Sequence, residues 1–313
     1  MEKQQVVVIV GPTAVGKTAL GVKLAQDFNG EVISGDSLQV YRGLDIGTAK
    51  VTKEETMGVT HHLIDIIEPT EDYSVYEFKQ EATKIIDRLS KEGKLPIIVG
   101  GTGLYIQALL YDFNLGSNTI TDEELLVRNK WEMIAKNLSK QELWEKLDKV
   151  DPAASKVIHP NNQRRVLRAL EVIELTGVSI TNQQKVDFLD LDQSIYDVML
   201  IGLNTDRDVL YQRINQRVDM MIEAGLIEEA KFVYDLGETQ SSKGIGYKEF
   251  FPYFKGNINL EEASQQVKQN SRRYAKRQLT WFNNRMTVSW WNFVEYPKSI
   301  SRLEEKLKAW YKG

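Results

Sequence analysis

Eight residues near the N-terminus have the composition and spacing of a phosphate-binding loop. They are Gly11, Pro12, Thr13, Ala14, Val15, Gly16, Lys17 and Thr18, and they fit the pattern G-x-x-x-x-G-K-[ST] in full. In such a loop, backbone N–H groups and a helix N-terminus surround a phosphate, and the lysine supplies a cation. The Thr18 hydroxyl can serve as a Mg²⁺ ligand. The pattern therefore predicts a phosphate-binding site with Mg²⁺ as the cofactor, and it leaves open whether the phosphates belong to a nucleotide.

An acidic residue, Asp36, follows a short apolar stretch soon after this loop. Kinases and ATPases with such a loop usually carry an aspartate at the end of a later apolar strand, where it organises magnesium. Here the apolar stretch at 97–99 ends in Gly100 instead. Asp36 is therefore the candidate acid beside the phosphate loop, and an aspartate that only caps a turn is the alternative.

A third chemical signal is a concentration of positive charge near the C-terminus. No acidic residue lies between Glu262 and Glu295, although the chain as a whole has a formal net charge of -4. The basic residues in this interval are Lys268, Arg272, Arg273, Lys276, Arg277 and Arg285. Four of them are spaced so that one helix would carry them as a stripe: Arg272, Arg273, Lys276 and Arg277. Such a stripe is typical of a surface that binds an anionic polymer, and a solvated helix face is the alternative.

Aromatic residues accompany the stripe, and a second basic group lies earlier in the chain. The aromatic residues are Tyr274, Trp281, Phe282, Trp290 and Trp291. They could stack on bases or fill a core. The second group is Arg164, Arg165 and Arg168, which open a predicted helix after Asn161 and Asn162. Together the two groups favour nucleic acid as a partner.

The order of apolar runs and helical patterns indicates what positions these residues. Apolar runs at 6–10, 31–34, 95–99 and 198–203 predict buried strands, and amphipathic patterns follow several of them. Ser74 and Glu77 have the spacing of a capping box that opens one of these helices, and Asp206 is expected to cap another. This alternation predicts an α/β fold, with a parallel sheet flanked by helices.

The alternation is interrupted in the middle of the chain. From about 119 to 185 the pattern is helical, with no convincing strand. We expect residues 119–189 to form a helical insertion domain between two parts of one P-loop core, 1–118 and 190–313. Extra helices packed on the same core are the alternative.

Composition excludes several classes of protein. The 313 residues include no cysteine, which rules out disulfides, a thiol nucleophile and Cys-ligated metals, and there are only three histidines. No apolar run is long enough to span a membrane, and the N-terminus does not resemble a signal peptide. We therefore expect a cytoplasmic protein. One chain carries both predicted sites, so we expect a monomer without a protein partner.

Taken together, these motifs resemble the tRNA dimethylallyltransferase family. The matching segments are the loop at 11–18, SGDSLQVYR at 34–42, GTAK at 47–50, GGTGLY at 100–105, HPN at 159–161, QRR at 163–165, IGYKE at 245–249 and KRQLTW at 276–281. Arg217, followed by Met220 and Met221, and Gly225-Leu226 match as well. The segments extend over almost the whole chain.

The resemblance implies transfer of a dimethylallyl group from dimethylallyl diphosphate to the exocyclic amine of the adenosine on the 3′ side of the tRNA anticodon. It implies that Lys17, Arg217 and Mg²⁺ on Thr18 stabilise the diphosphate leaving group and that Asp36 accepts or orients the amine proton. The resemblance also suggests a set of tRNA contacts. To these we add the stripe residues Arg273 and Arg277; the full set is Asp36, Ser37, Leu38, Gln39, Thr102, Arg128, Asn161, Asn162, Gln163, Arg164, Arg165, Arg273 and Arg277.

Two other functions are compatible with parts of the sequence. An ATP-dependent small-molecule kinase would use the same loop, but the missing strand-end aspartate and the basic stripe disfavour it. A nucleic-acid-binding module with a vestigial phosphate loop would leave Lys17, Thr18 and Asp36 without a role.

Overall fold

A computed structural model describes residues 2–113, 121–182 and 187–312. Six parallel strands form one sheet in the order β3-β2-β4-β1-β5-β6. The strands are β1 (Gln5–Val10), β2 (Gly30–Ser34), β3 (His61–His62), β4 (Leu95–Val99), β5 (Asp197–Leu203) and β6 (Ser289–Trp291). The predicted α/β class with a parallel sheet is confirmed.

Helices account for most of the remaining described chain. They are α1 (Lys17–Asp27), α2 (Lys53–Thr56), α3 (Val75–Lys91), α4 (Gly103–Leu110), α5 (Asp122–Lys136), α6 (Lys140–Val150), α7 (Pro152–Val157), α8 (Gln163–Thr176), α9 (Arg207–Glu223), α10 (Leu226–Asp235), α11 (Phe251–Phe254), α12 (Leu260–Arg285) and α13 (Ile300–Trp310).

The central strands are almost continuously apolar because both faces of the sheet are covered. Strands β1 and β4 lie next to each other at the centre, and their residues 6–10 and 95–99 are all buried. In a parallel sheet, the crossover helices pack on both faces, so alternation of polar and apolar residues is lost. Parallel order also places the carboxyl ends of β1, β2 and β4 at one edge of the sheet, which is where ligands bind in such folds.

Local sequence signals fix several helix starts. The predicted capping box is confirmed: the Glu77 N–H donates to Ser74 Oγ at 3.2 Å, and the Ser74 N–H donates to Glu77 Oε2 at 2.6 Å. Asp206 lies at the N-cap of α9, but its side chain makes no capping hydrogen bond. Instead, Glu295 accepts a hydrogen bond from the Asp206 N–H at 3.2 Å. Asp206 therefore lies where the sequence predicts the helix cap, although its side chain does not make the capping bond.

The chain divides into two compact units. Unit 1 comprises residues 1–115 and 188–313, and unit 2 comprises residues 116–187. Unit 2 contains α5 to α8 around its own apolar cluster, in which Leu143, Leu147, Val166 and Leu170 are fully buried. The predicted boundary at 118–119 lies outside the described residues, so a helical insertion domain over 119–189 stays a prediction.

Two short edge strands, β3 and β6, have no counterpart among the predicted strands. Trp290 and Trp291, which the sequence offered as possible base-stacking residues, belong to β6. A Cβ on Gly202 of β5 would lie 2.4 Å from the Trp290 ring, and Trp291 stacks on Phe293 with ring centroids 5.7 Å apart. Phe282 is fully buried and Trp291 packs against the core cluster, so the core-filling alternative is the correct one for these two; Trp290 is half-buried.

Candidate active site

The phosphate loop joins the end of β1 to the start of α1, as the sequence predicts. Gly11 has a φ of +138°, and a Cβ at this position would lie 2.2 Å from the Leu203 carbonyl oxygen of the neighbouring strand β5. Only glycine fits there, because any side chain would displace backbone. Gly16, with a φ of +91°, is the N-cap of α1, so the first backbone N–H groups of this helix face the loop.

Lys17 is folded over its own loop. Its Nζ donates a hydrogen bond to the Pro12 carbonyl oxygen at 2.6 Å. Burial, together with the nearby charge of Arg217, lowers the pKa of Lys17 from 10.5 to about 8, and the charge of Asp36 opposes this shift. The Lys17 ammonium group therefore has a neutral carbonyl oxygen as its hydrogen-bond partner. A charged phosphate oxygen would be a stronger acceptor and could replace it.

Asp36 reaches the same site from the neighbouring end of β2. The Gly35 N–H donates to the Val99 carbonyl oxygen at 2.8 Å, and a Cβ on Gly100 would lie 2.3 Å from the Gly35 carbonyl oxygen. This close approach of the β2 and β4 ends positions Asp36. Its Oδ1 accepts a hydrogen bond from the Leu38 N–H at 2.9 Å, so Asp36 does cap a turn.

The electrostatic surroundings of Asp36 go beyond those of a surface turn. Burial raises the pKa of its carboxyl group above the usual 3.8. Hydrogen bonds from the Leu38 and Gln39 backbone and the charges of Lys17 and Arg217 oppose that rise. A desolvated aspartate that also experiences the charges of two nearby cations is typical of a functional site.

Helix α9 contributes the second cation, Arg217. The pKa of this guanidinium is lowered by burial, while the Asp36 carboxylate opposes that shift. One turn earlier on α9, Arg213 Nε donates to the Ala14 carbonyl oxygen in the phosphate loop at 2.7 Å. The sequence interpretation missed Arg213; its spacing of four residues from Arg217 was the available signal, since both side chains lie on one helix face.

Helix α12 supports the glycine-rich loop that follows β4. Gln278 Nε2 donates to the Gly101 carbonyl oxygen at 3.1 Å, and a Cβ on Gly103 would lie 2.2 Å from the Trp281 ring. Thr102, between these glycines, accepts a hydrogen bond at its Oγ1 from the Ser37 N–H at 3.3 Å. Thr102 is thus joined to the segment that carries Asp36.

The basic stripe on α12 is only partly free. Arg273, Lys276 and Arg277 are exposed. Arg272 instead donates a hydrogen bond to Asn215 Oδ1 and lies over the Tyr211 ring, 5.9 Å from its centroid. Arg272 is therefore engaged with α9, which removes it from the surface available to a polymer.

The remaining predicted tRNA contacts lie in unit 2. Asn162 is the N-cap of α8, which Gln163 begins, and Asn161, Arg164 and Arg165 are exposed there. Arg128 lies on α5 and is half-buried. Arg168 forms an ion pair with Glu171 at 3.2 Å, as expected for a solvated helix face.

Metal binding by protein side chains alone finds no support within the described ranges. There, no group of three or more His, Asp or Glu side chains is arranged to hold a metal ion. The Thr18 hydroxyl is exposed at the second position of α1 and makes no hydrogen bond within the described chain. One free hydroxyl beside a phosphate loop fits a Mg²⁺ site, because Mg²⁺ usually takes few ligands from the protein and the others from water and substrate phosphates.

The fold and the site define an α/β protein with a phosphate-loop motif at the carboxyl edge of its parallel sheet. Residues 39–285 match the model of the IPP transferase family. The chain belongs to this family.

Individual relatives agree over nearly the full length. A tRNA dimethylallyltransferase from Enterococcus faecalis is 54% identical, with 98% of this chain and 97% of the relative covered. One from Latilactobacillus sakei is 51% identical, with 99% of each chain covered.

Solved structures give the same result. The tRNA isopentenylpyrophosphate transferase from Bacillus halodurans superimposes with a TM-score of 0.73 at 50% identity, with 98% of this chain and 96% of that chain covered. A eukaryotic dimethylallyltransferase described as acting on tRNA gives a TM-score of 0.74 at 32% identity, with 89% and 70% covered. Across the described ranges, no helix is both long and apolar enough to cross a membrane.

Proposed function

We infer that this chain is a tRNA dimethylallyltransferase. It transfers the dimethylallyl group of dimethylallyl diphosphate to the N6 amine of the adenosine on the 3′ side of the anticodon and releases diphosphate. One observation supports this chemistry above others: Asp36 lies within the electrostatic reach of both Lys17 and Arg217 at the phosphate loop, while β4 is followed by Gly100 rather than by a metal-organising acid. The kinase alternative is not favoured.

The phosphate loop holds the leaving group. Backbone N–H groups at the start of α1 and the cations Lys17 and Arg217 bind the diphosphate of the prenyl donor. As the allylic C–O bond breaks, negative charge grows on the diphosphate oxygen. Cations that are already in place stabilise that charge without reorganisation. Lys17 gives up the Pro12 carbonyl oxygen, its present partner at 2.6 Å, in exchange for a phosphate oxygen.

Asp36 acts on the acceptor. The adenine amine forms the new N–C bond to the allylic carbon and loses one proton, which the Asp36 carboxylate accepts. Burial raises the pKa of this carboxyl group, which brings its basicity closer to working pH while the two cations keep it ionised. Its turn hydrogen bond to the Leu38 N–H holds the carboxylate in place.

Mg²⁺ is the proposed cofactor, and Thr18 would hold it. When bound, the ion neutralises part of the diphosphate charge. The absence of an acidic cluster among the described residues agrees with an ion held mainly by diphosphate and water.

We further propose that the tRNA contacts occupy both units, on the residues for which the sequence predicts them. In unit 1 these are Asp36 to Gln39, Thr102, Arg273 and Arg277; in unit 2 they are Arg128 and residues 161–165. The acceptor base must leave the anticodon-loop stack to reach Asp36, which costs a few kcal/mol in a single-stranded loop. We place the enzyme in the cytoplasm, as a monomer.

Substrate choice tests the function. The purified protein is incubated with unmodified tRNA and Mg²⁺, together with either dimethylallyl diphosphate or ATP. The tRNA is then digested, and the masses of its nucleosides are determined by mass spectrometry. We expect one adenosine per tRNA to gain a dimethylallyl group with the prenyl donor only. ATP hydrolysis, or phosphoryl transfer without prenylation, would contradict the assignment.

A further inference from the structure

The carboxylate of Glu229, on α10, is fully engaged with a distant loop. Its Oε2 accepts hydrogen bonds from the N–H groups of Asp45 and Ile46 at 2.8 and 2.9 Å. Its Oε1 accepts one from the Gly47 N–H at 2.8 Å and one from the Tyr247 hydroxyl at 2.7 Å. Three consecutive backbone N–H groups thus converge on one anion, in the manner of a backbone anion nest.

This loop in turn holds the segment that carries Asp36. The carbonyl oxygens of Thr48 and Ala49 accept hydrogen bonds from Gln39 Nε2 at 3.2 and 3.4 Å. Gln39 Oε1 accepts a hydrogen bond from Ser34 Oγ at 2.9 Å. Gln39 therefore links the end of β2 to the loop that Glu229 binds, and Asp36 lies between Ser34 and Gln39.

Tyr247 provides a second connection to the same segment. Its ring is fully buried, and a Cβ on Gly47 would lie 2.6 Å from it. A Cβ on Gly244 would lie 2.9 Å from the Tyr247 ring and 3.0 Å from Leu38 Cδ1. Two glycines therefore let the tyrosine fit between the nest and Leu38, which is two residues from Asp36.

The charge of Glu229 is what the nest requires. An ionised carboxylate has two oxygens that only accept, so it can satisfy four donors. A glutamine of the same shape would place an NH₂ group against one or two of these N–H donors. Leaving donors of the 45–47 turn without an acceptor loosens this loop, and the change would spread through Gln39 to the acceptor side of the site.

We propose that Glu229 is a positioning residue for the acceptor nucleotide: by anchoring the 45–47 turn and Tyr247, it fixes the orientation of Asp36 toward the amine. This proposal rests on the proposed function. It concerns a side chain that contacts neither the phosphate loop nor Asp36 itself.

The test compares Glu229→Gln with Glu228→Gln, the same change on an exposed neighbour without a hydrogen bond in the described chain. Single-turnover transfer at saturating tRNA separates two effects, because the amplitude measures the correctly folded fraction and the rate constant measures positioning. We expect the rate constant of Glu229→Gln to fall about 10- to 100-fold, the scale of a small misplacement of reacting groups. Glu228→Gln should match the wild type, and the affinity for dimethylallyl diphosphate should be unchanged in both.

A milder variant keeps the proposal testable if Glu229→Gln folds poorly. Tyr247→Phe removes one of the four donors and should slow transfer a few-fold in the wild type, but not further in the Glu229→Gln background. A wild-type rate constant with only a reduced amplitude would overturn the positioning role, as would additive effects of the two changes. Failure of the proposed function looks different, since neither the wild type nor Glu228→Gln would then transfer a prenyl group.

Discussion

Arg213 on α9 donates a hydrogen bond from its Nε to the carbonyl oxygen of Ala14, 2.7 Å away and 199 positions earlier in the chain. Ala14 has a φ of +67°, an uncommon conformation for a residue with a Cβ. This contact therefore supports the strained part of the phosphate loop. It also fixes the helix on which Arg217 lies four residues further on.

We expect Arg213→Gln to weaken binding of dimethylallyl diphosphate about tenfold, the scale of one hydrogen bond to a charged group. The loss has two sources: the Ala14 carbonyl loses its partner, and a cation beside the loop disappears. Arg207→Gln is the matched control, because Arg207 is exposed on the same helix and lies over the Tyr211 ring, 5.1 Å from its centroid. Calorimetric titration with dimethylallyl diphosphate measures the affinity of both variants. Equal affinities would show that Arg213 does not contribute to binding of the prenyl diphosphate.

The lowered pKa of Lys17 predicts proton uptake on ligand binding. In the proposed function the ammonium form binds diphosphate, and burial lowers the pKa of the free enzyme's Lys17 from 10.5 to about 8. Above pH 8 the unliganded side chain is mostly neutral and must gain a proton when the anion binds. Affinity for dimethylallyl diphosphate should therefore decline as the pH rises through 8, whereas an ordinary lysine would hold it to about pH 10.

Titrations in buffers of different ionisation enthalpy measure this proton directly. We expect uptake near pH 8.5 in the wild type and in Lys23→Met, which changes a half-buried lysine on the same helix that pairs with Asp27 and Glu304. Lys17→Met should lose both the uptake and most of the affinity. Equal heats in all buffers would show that Lys17 keeps its proton throughout.

The sequence alone predicts the parts of the site that rest on local patterns. The phosphate loop and its position between β1 and α1 follow from spacing within a few residues, and in the fold the same holds for the capping box at Ser74. Strands β3 and β6 were missed because two- and three-residue strands are defined by their partners rather than by their own composition. The contacts of Arg213 with Ala14 and of Glu229 with the 45–47 turn join residues that are far apart in sequence, where no periodicity can indicate them.

The exposed arginines of α12 should contact tRNA phosphates. Reversing Arg273 and Arg277 to Glu should weaken tRNA binding and flatten its dependence on salt, by ~0.7–0.9 units of log-log slope for each lost phosphate contact. Affinity for dimethylallyl diphosphate should not change. The control is Arg302→Glu with Lys308→Glu, an identical charge change at two exposed positions of α13. If both pairs give the same slope, the α12 stripe is only a solvated helix face.

The central claim is that the Asp36 carboxylate accepts the proton of the adenine amine. The same carboxylate also accepts the turn hydrogen bond from the Leu38 N–H. Asp36→Asn keeps the size of the side chain and an oxygen for the turn but removes the negative charge. A residue that only caps a turn would tolerate this change well. General-base assistance is typically worth about 10²- to 10⁴-fold.

The role of Asp36 as proton acceptor also predicts how the rate of the wild-type enzyme depends on pH. Transfer should slow as the pH falls through the pKa of Asp36, because the protonated carboxyl cannot accept the amine proton. Burial raises that pKa above 3.8, so the decline should begin at a higher pH than for a free aspartate.

The most direct measurement is the single-turnover rate of prenyl transfer by Asp36→Asn, with the affinities for tRNA and for dimethylallyl diphosphate determined on the same preparation. We expect the rate constant to fall by about 10²- to 10⁴-fold while both substrates still bind. A folded Asp36→Asn variant that transfers the dimethylallyl group at nearly the wild-type rate would contradict the account and leave Asp36 with the turn alone.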